Sequence, residues 1–489
     1  TLAGTTAARL QDTTLDMGGD LSVNAGVDGS IQTLTASLAG AKGKVGVAGS
    51  VSINEIDNTT QVLLSNAHIN GAGSVTLRST DLSSIQSVAG ALAFGGKAGV
   101  GLSFAWNQIH NDTSTLVDTS DIEASGTVSV QAESDNAIDS ISASIGASKG
   151  PMAGAGAVSM NTINNATAAT VNGKLGDGID AAGAVAVTAD DSSRIFALAG
   201  GVGATTGQAG FGASVAWSEV TNTVAAKATG GARLESQAGV QVKALSDSEV
   251  QAIAAAGGAA DKVAVAGSFS AVQTRNTTLA EVSGGSVVDA AGAVLVSASD
   301  TASIESLAGS VALSGQAALG VAAAYNVIDN DTEAQAAQST LDGASVAIEA
   351  STDADIASAA VGGGGAAKVA VTGSLGFNEI TNRTAATATG ATLIASGDAS
   401  VVASDSSTIG SISGAAAVGG NGAVGAAGSY NHIDGEVLAR VSGGSVTAAN
   451  ARVAALRSSE LEVWAISGSG AGTAGFAGSI AINDVGGSN

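Results

Sequence analysis

The chain is expected to be all-β, a repetitive β-solenoid (a right-handed parallel β-helix) built from ~54-residue repeats. Three observations predict it. A short motif, Asn-x-Ile-x-Asn-x-Thr, returns at nearly constant spacing along the 489 residues. Between its copies apolar residues alternate with small ones at period two, the pattern of half-buried strands. Pro151 is the only proline, so the backbone can donate hydrogen bonds almost everywhere, as extended sheet requires.

The motif is complete at residues 54–60, 107–113, 161–167, 326–332 and 378–384, and degraded copies start at Ser218, Val272, Asn431 and Asn483. Successive starts lie 52 to 57 residues apart. Self-similarity at a fixed period marks stacked repeats, and it overrides the estimate of about three globular domains that length alone would give. Other columns keep the same step, among them Leu77, Val130 and Val187, and Ile85, Ile138 and Ile195. These two columns should be buried. Residues 1–43 read as a partial leading repeat, and residues 44–489 as a continuous array of about eight ~54-residue β repeats with the last truncated. A chain that opens and closes mid-repeat is expected to be a fragment of something longer.

One repeat divides into four extended pieces. Residues 45–53 alternate apolar and small side chains and run into the motif. Residues 61–69 form a second piece, ending at the turn signal Asn70-Gly71-Ala72-Gly73. Residues 74–79 carry Val75 and Leu77 on one face, and after Asp81 residues 85–94 close at Gly95-Gly96-Lys97-Ala98. Coil-on-coil pairing suits this pattern better than its alternative, a hairpin across the glycine turn. The number of coils per repeat is open at this stage. Ala, Gly and Ser at most strand positions predict a thin cross-section whose stability is a sum over neighbouring coils.

Composition narrows the partners. A formal charge of −24 argues against nucleic acid and anionic membranes, which need basic patches. No run of about 18 apolar residues free of polar breaks occurs, so no membrane insertion by this segment is expected. The absence of cysteine rules out a disulfide scaffold. The partners expected are neighbouring copies or other repeats of the same long chain, with cell-surface or matrix polysaccharide as the ligand class.

The candidate site is a structural ladder formed by Asn58, Asn111, Asn165, Asn222, Asn276, Asn330 and Asn382. Stacked amides would hydrogen-bond along the axis and hold a corner that tolerates a left-handed backbone. Six of the seven, all but Asn222, are also Asn-x-Thr acceptors, which a buried ladder would preclude. Asp81, Asp135, Asp191, Asp247, Asp300, Asp353 and Asp405 read as one acidic column. It would cap turns, or line up carboxylates for calcium, the one ion this pattern suits; no other cofactor is expected. Gly176-Asp177-Gly178-Ile179-Asp180 is an isolated echo of a calcium nonapeptide. His68, His110 and His432 occupy different repeat positions, and no catalytic triad or metal spacing emerges, so the chain reads as a non-enzyme. Trp106 and Trp217, at equivalent positions beside the motif, and Trp464 are expected in the core or as caps.

Residues 49–60, Gly-Ser-Val-Ser-Ile-Asn-Glu-Ile-Asp-Asn-Thr-Thr, followed by Gly-Ala-Gly-Ser-Val-Thr-Leu at 71–77, resemble the repeats of very large filamentous adhesins of Gram-negative bacteria. These are the filamentous-haemagglutinin-like and leukotoxin-like proteins of two-partner secretion. The resemblance implies a β-helical rod at the cell surface with roles in adhesion, aggregation and biofilm. The function expected is thus a structural stalk. Its alternative is a solenoid face that recognises polysaccharide or calcium, and a polysaccharide-cleaving β-helix enzyme is the least favoured.

Overall fold

The structure, a computed structural model, describes residues 1–174 and 177–487; Gly176 of the nonapeptide echo lies outside the described residues. Each ~54-residue repeat makes one coil. Val75 pairs in parallel with Val128, Val128 with Val185 and Val185 with Val240, so a residue's neighbour along the axis is its counterpart one repeat away. Nine coils at roughly 4.8 Å each give a stack of about 43 Å.

Every coil is flattened into two long sides. One side is a single strand of 21 or 22 residues, as in Val75–Gly95, Val185–Thr205 and Asp398–Gly419, and nine of these form an uninterrupted sheet. We call it the plain sheet. The opposite side runs from the glycine turn back past the motif, as in Val45–Ala72, or in two or three pieces such as Met152–Ile163, Ala166–Asn172 and Gly178–Ala181. This is the notched sheet. A side of 21 residues spans ~70 Å at about 3.3 Å per residue.

The four short pieces expected from the sequence are thus merged into two long sides. Asp81 and Asn58 read as breaks, but both point inward from extended backbone and find partners across the core, so no turn is needed there. The residues before and after the glycine turn belong to different sheets and face one another without a shared hydrogen-bond ladder. The left-handed corner lies elsewhere, in the notch. Asn66 (φ 49°), Thr119 (φ 45°), Gly230 (φ 69°), Gly284 (φ 69°), Gln338 (φ 50°) and Gly390 (φ 63°) bend the chain in six of the coils. Glycine appears where an L side chain would crowd the following carbonyl.

Across its width the coil is layered. At the broad end Leu64, Ile69, Val75, Leu77 and Ile122 form an aliphatic core, continuous through the stack. Next comes a polar layer with Asn58, Thr60, Asp81 and Ser83, all buried. A second aliphatic layer follows, mostly one isoleucine from each sheet per coil, as in Ile56 with Ile85 and Ile109 with Ile138, with Val220, Val250 and Thr274 among the replacements. The Leu77 and Ile85 columns are therefore both internal. Beyond Asn54 and Ser52 the interior contains only small residues such as Ala48, Ala91 and Ala93. There the sheets meet backbone to backbone. A Cβ on Gly99 would stand 2.1 Å from the Ala147 carbonyl oxygen, and one on Gly212 would stand 2.0 Å from that of Gly257. The molecule tapers from an aliphatic body to a glycine-packed blade.

Candidate functional site

The seven asparagines of the motif column sit one above another, and each is buried. The Asn58 N–H donates to Asn111 Oδ1 at 3.0 Å, and the Asn276 N–H donates to Asn330 Oδ1 at 2.9 Å. The same bond joins Asn111 to Asn165, Asn165 to Asn222, Asn222 to Asn276 and Asn330 to Asn382. The side-chain oxygen stands in for a main-chain carbonyl. The notched sheet accordingly breaks beside Asn165, Asn222, Asn276 and Asn330, although none of these has a positive φ. Burial of these asparagines, and of Thr60, Thr113 and Thr167 beside them, withholds the Asn-x-Thr sites from modification in the folded chain.

An amide-to-amide ladder exists as well, four residues earlier in the motif. Asn54 Nδ2 donates to Asn107 Oδ1 at 2.8 Å, and Asn107 Nδ2 to Asn161 Oδ1 at 2.8 Å. It stops at Ser218 and Val272 and resumes from Asn326 through Asn378 and Asn431 to Asn483. Sequence reasoning used Asn54 only to mark the start of the motif. The signal was parity, because residues four apart on a strand share a face.

The amide nitrogens of the Asn58 column turn across the core to the opposite sheet. Asn111 Nδ2 donates to Asp81 Oδ1 at 2.7 Å, Asn222 Nδ2 to Asp191 Oδ1 at 2.6 Å and Asn382 Nδ2 to Asp405 Oδ2 at 3.3 Å. Asn330 donates to Asp300 in the same way. The seven acids read as one column are in fact two. Asp81, Asp191, Asp300 and Asp405 point inward, while Asp135, Asp247 and Asp353 are exposed on the outer face. Ser134, Ser246 and Thr352 fill the inward place in the intervening coils. Buried carboxylates therefore recur in every second coil, about 9.6 Å apart, where like charges in adjacent coils would repel.

Burial dominates their protonation. Desolvation raises the pKa of Asp191 and of Asp300 to about 6, against hydrogen bonds from Ser193, Thr167 and Asn165 at the first and from Ser246, Asn276 and Thr278 at the second. Asp81 and Asp405 are raised by the same cause, and their hydrogen bonds oppose it. Among the described residues no three His, Cys, Asp or Glu side chains converge as metal ligands. His68 bonds Asp121 at 3.0 Å, His110 the Asn164 carbonyl at 2.8 Å, and His432 lies beside Asp484, three unrelated places.

The tryptophans are not in the core. Trp106 and Trp217 project from the outer face of the notched sheet, and Trp464, 55% exposed, from that of the plain sheet. They border the blade, whose outer surfaces invert its interior. Leu34, Leu38, Val51, Ile53, Leu102 and Leu375 are each more than half exposed, while the side chains between them point inward and are small. A shallow groove runs over this surface where Ala357, Ala359 and Gly410 interrupt the larger Leu307, Ile412 and Trp464.

No family model, curated protein or solved structure matches the chain. What the coordinates define is the class, an all-β parallel solenoid with one coil per repeat.

Proposed function

We propose that this chain is a structural stalk or filament segment of a secreted bacterial surface adhesin, acting outside the cell in adhesion, aggregation or biofilm and catalysing no reaction. The observation that carries the reading is uniform pairing. Each coil bonds only its two neighbours, in one register, through nine coils. Buried Asn and Asp columns lock that register from inside, because a slip of one residue would place polar groups against Ile85 and its counterparts. Such construction transmits position along an axis, and among the described residues no three His, Cys, Asp or Glu side chains gather as a metal site. Neighbouring copies, or further repeats of the same chain, are the partners that its two open sheet edges suit.

Electron microscopy of the purified segment tests the architecture, with uniform slabs of about 43 Å along the stacking axis expected. In-frame removal of pairs of coils from the secreted parent chain tests the role. Surface display should persist while aggregation and adhesion fall as the segment shortens. Multi-lobed particles, or turnover of acidic polysaccharides by the segment, would overturn the reading.

A further inference from the structure

We propose that the glycine-packed blade is a membrane-embedding edge, which crosses a lipid bilayer with the solenoid axis lying in the membrane plane. The proposal rests on the geometry of the blade and stands whether or not the adhesin reading holds.

The outer faces of the blade contain no polar intrusions. On the notched sheet the five outward positions after the glycine turn, exemplified by Val45, Val47, Gly49, Val51 and Ile53, are apolar or aromatic in every coil. On the plain sheet the last four outward positions before the turn, exemplified by Val88, Gly90, Leu92 and Phe94, are apolar in every coil. In most coils polarity returns on both faces at one level, with Glu55 and Gln108 on one side and Gln86 and Asp139 on the other, while Val327, Phe196, Ala357 and Gly410 stand there in the remainder. The nine residues from Val45 to Ile53 span ~30 Å, the thickness of a bilayer's hydrocarbon core.

Residue types sort along this band as they do across a bilayer. All three tryptophans and both tyrosines of the chain occupy its boundary columns, Trp106, Trp217, Tyr325 and Tyr430 on the notched sheet and Trp464 on the plain sheet. Of the seven phenylalanines Phe94, Phe104, Phe211, Phe269 and Phe476 lie within the band, Phe377 stands in the boundary column and Phe196 one outward position beyond it. Aromatic rings with a polar tip favour the membrane interface, whereas phenylalanine enters the interior. At the far limit, the turns hold six of the chain's nine lysines: Lys42, Lys44, Lys97, Lys149, Lys262 and Lys368. Insertion to half depth would bury those ammonium groups, and full crossing returns them to water.

The serine and threonine hydroxyls of the band are confined to the interior, where Ser87 bonds Ser52 and Ser142 bonds Ser103, both at 2.9 Å. Between neighbouring coils the main chain is paired on both sides, so lipid meets unpaired backbone only at the two outermost edges, which need a further coil. A second copy stacked on the blade would cover one face. It would not explain why both faces lose polarity over one length between aromatic and lysine borders.

Phosphatidylcholine vesicles provide the test, since they offer no charge attraction. The refolded chain should float with the vesicles, and bromines near the headgroup should quench its tryptophans more than bromines deep in the acyl chains. Lys97→Cys should react with an impermeant maleimide only after the vesicles are opened, while Thr127→Cys, exposed at the broad end, reacts from outside. Leu102→Arg with Leu375→Arg, on outward positions that leave the interior intact, should lower partitioning about a hundredfold with an unchanged strand signal by circular dichroism. Failure to float, or labelling of Lys97→Cys from outside, would overturn the proposal. Self-association that replaces flotation and is abolished by the same two arginines would assign the band to a second copy.

Discussion

Asn222 reaches across the core to Asp191, its amide nitrogen 2.6 Å from one carboxylate oxygen, while its own carbonyl accepts the N–H of Asn165 in the coil below. One side chain thus ties two sheets and two coils together. Its partner is a carboxyl that burial holds partly protonated near neutrality, which makes stability depend on pH.

The sign follows from proton counting. With the folded pKa of Asp191 and Asp300 at about 6 against an ordinary 3.8, the folded chain holds protons between pH ~4 and ~6 that the unfolded chain has released. Stability from these groups is then greatest below pH ~4 and falls as pH rises through 6, by roughly 3 kcal/mol each. Asp191→Ser with Asp300→Ser, copying Ser134 and Ser246, should remove this slope and raise the unfolding midpoint at pH 7. A variant whose pH profile parallels that of the parent would disprove it.

The amide ladder has a measurable strength. Asn107 is fully buried and joins Asn54, Asn161 and Ser140. Asn107→Ala leaves several of those groups without a partner and should cost about 3 kcal/mol, read as increased hydrogen exchange in the second and third coils. Protection unchanged there would show that the ladder is dispensable.

Close approach of the sheets can be probed with one methyl group. Gly212→Ala would force its Cβ into the Gly257 carbonyl, whereas a Cβ on Gly267 meets nothing within 4 Å. The first substitution should destabilise by ~2 kcal/mol or more, and Gly267→Ala should be neutral within about 0.5 kcal/mol in denaturant titrations.

Gln338 bends left-handed between Gly284 and Gly390 of the adjoining coils. Gln338→Gly should relieve the crowding and stabilise by roughly 1 kcal/mol. A lowered unfolding midpoint would mean that its side chain contributes more than its backbone costs.

Much of this architecture could be read from periodicity, because each coil repeats one set of inward positions. The Leu77 and Ile85 columns were found from spacing alone. The acidic column was misread by one residue: Asp81 follows Leu77 by four and Asp135 follows Val130 by five, and that alternation continues through Asp405. On a strand the odd step reverses the face, so the two acid classes were distinguishable. The tryptophans were misplaced for another reason. A blade filled by alanine and glycine leaves its large side chains no room inside, and that follows only once two strands are known to face each other. The lipid-like band was missed because the polar turns, and inward serines in most coils, keep the apolar runs short, so no continuous stretch exists for a hydropathy window to detect.

The alternation of buried Asp with Ser or Thr has a consequence for how such a chain can change length. Loss of the coil that contains Ser246 would bring Asp191 and Asp300 into adjacent coils, ~4.8 Å apart, with neither able to accept all its former donors. Loss of two consecutive coils restores the pattern. The heritable unit is therefore a pair of coils, and copies of this array should be gained or shed in even numbers.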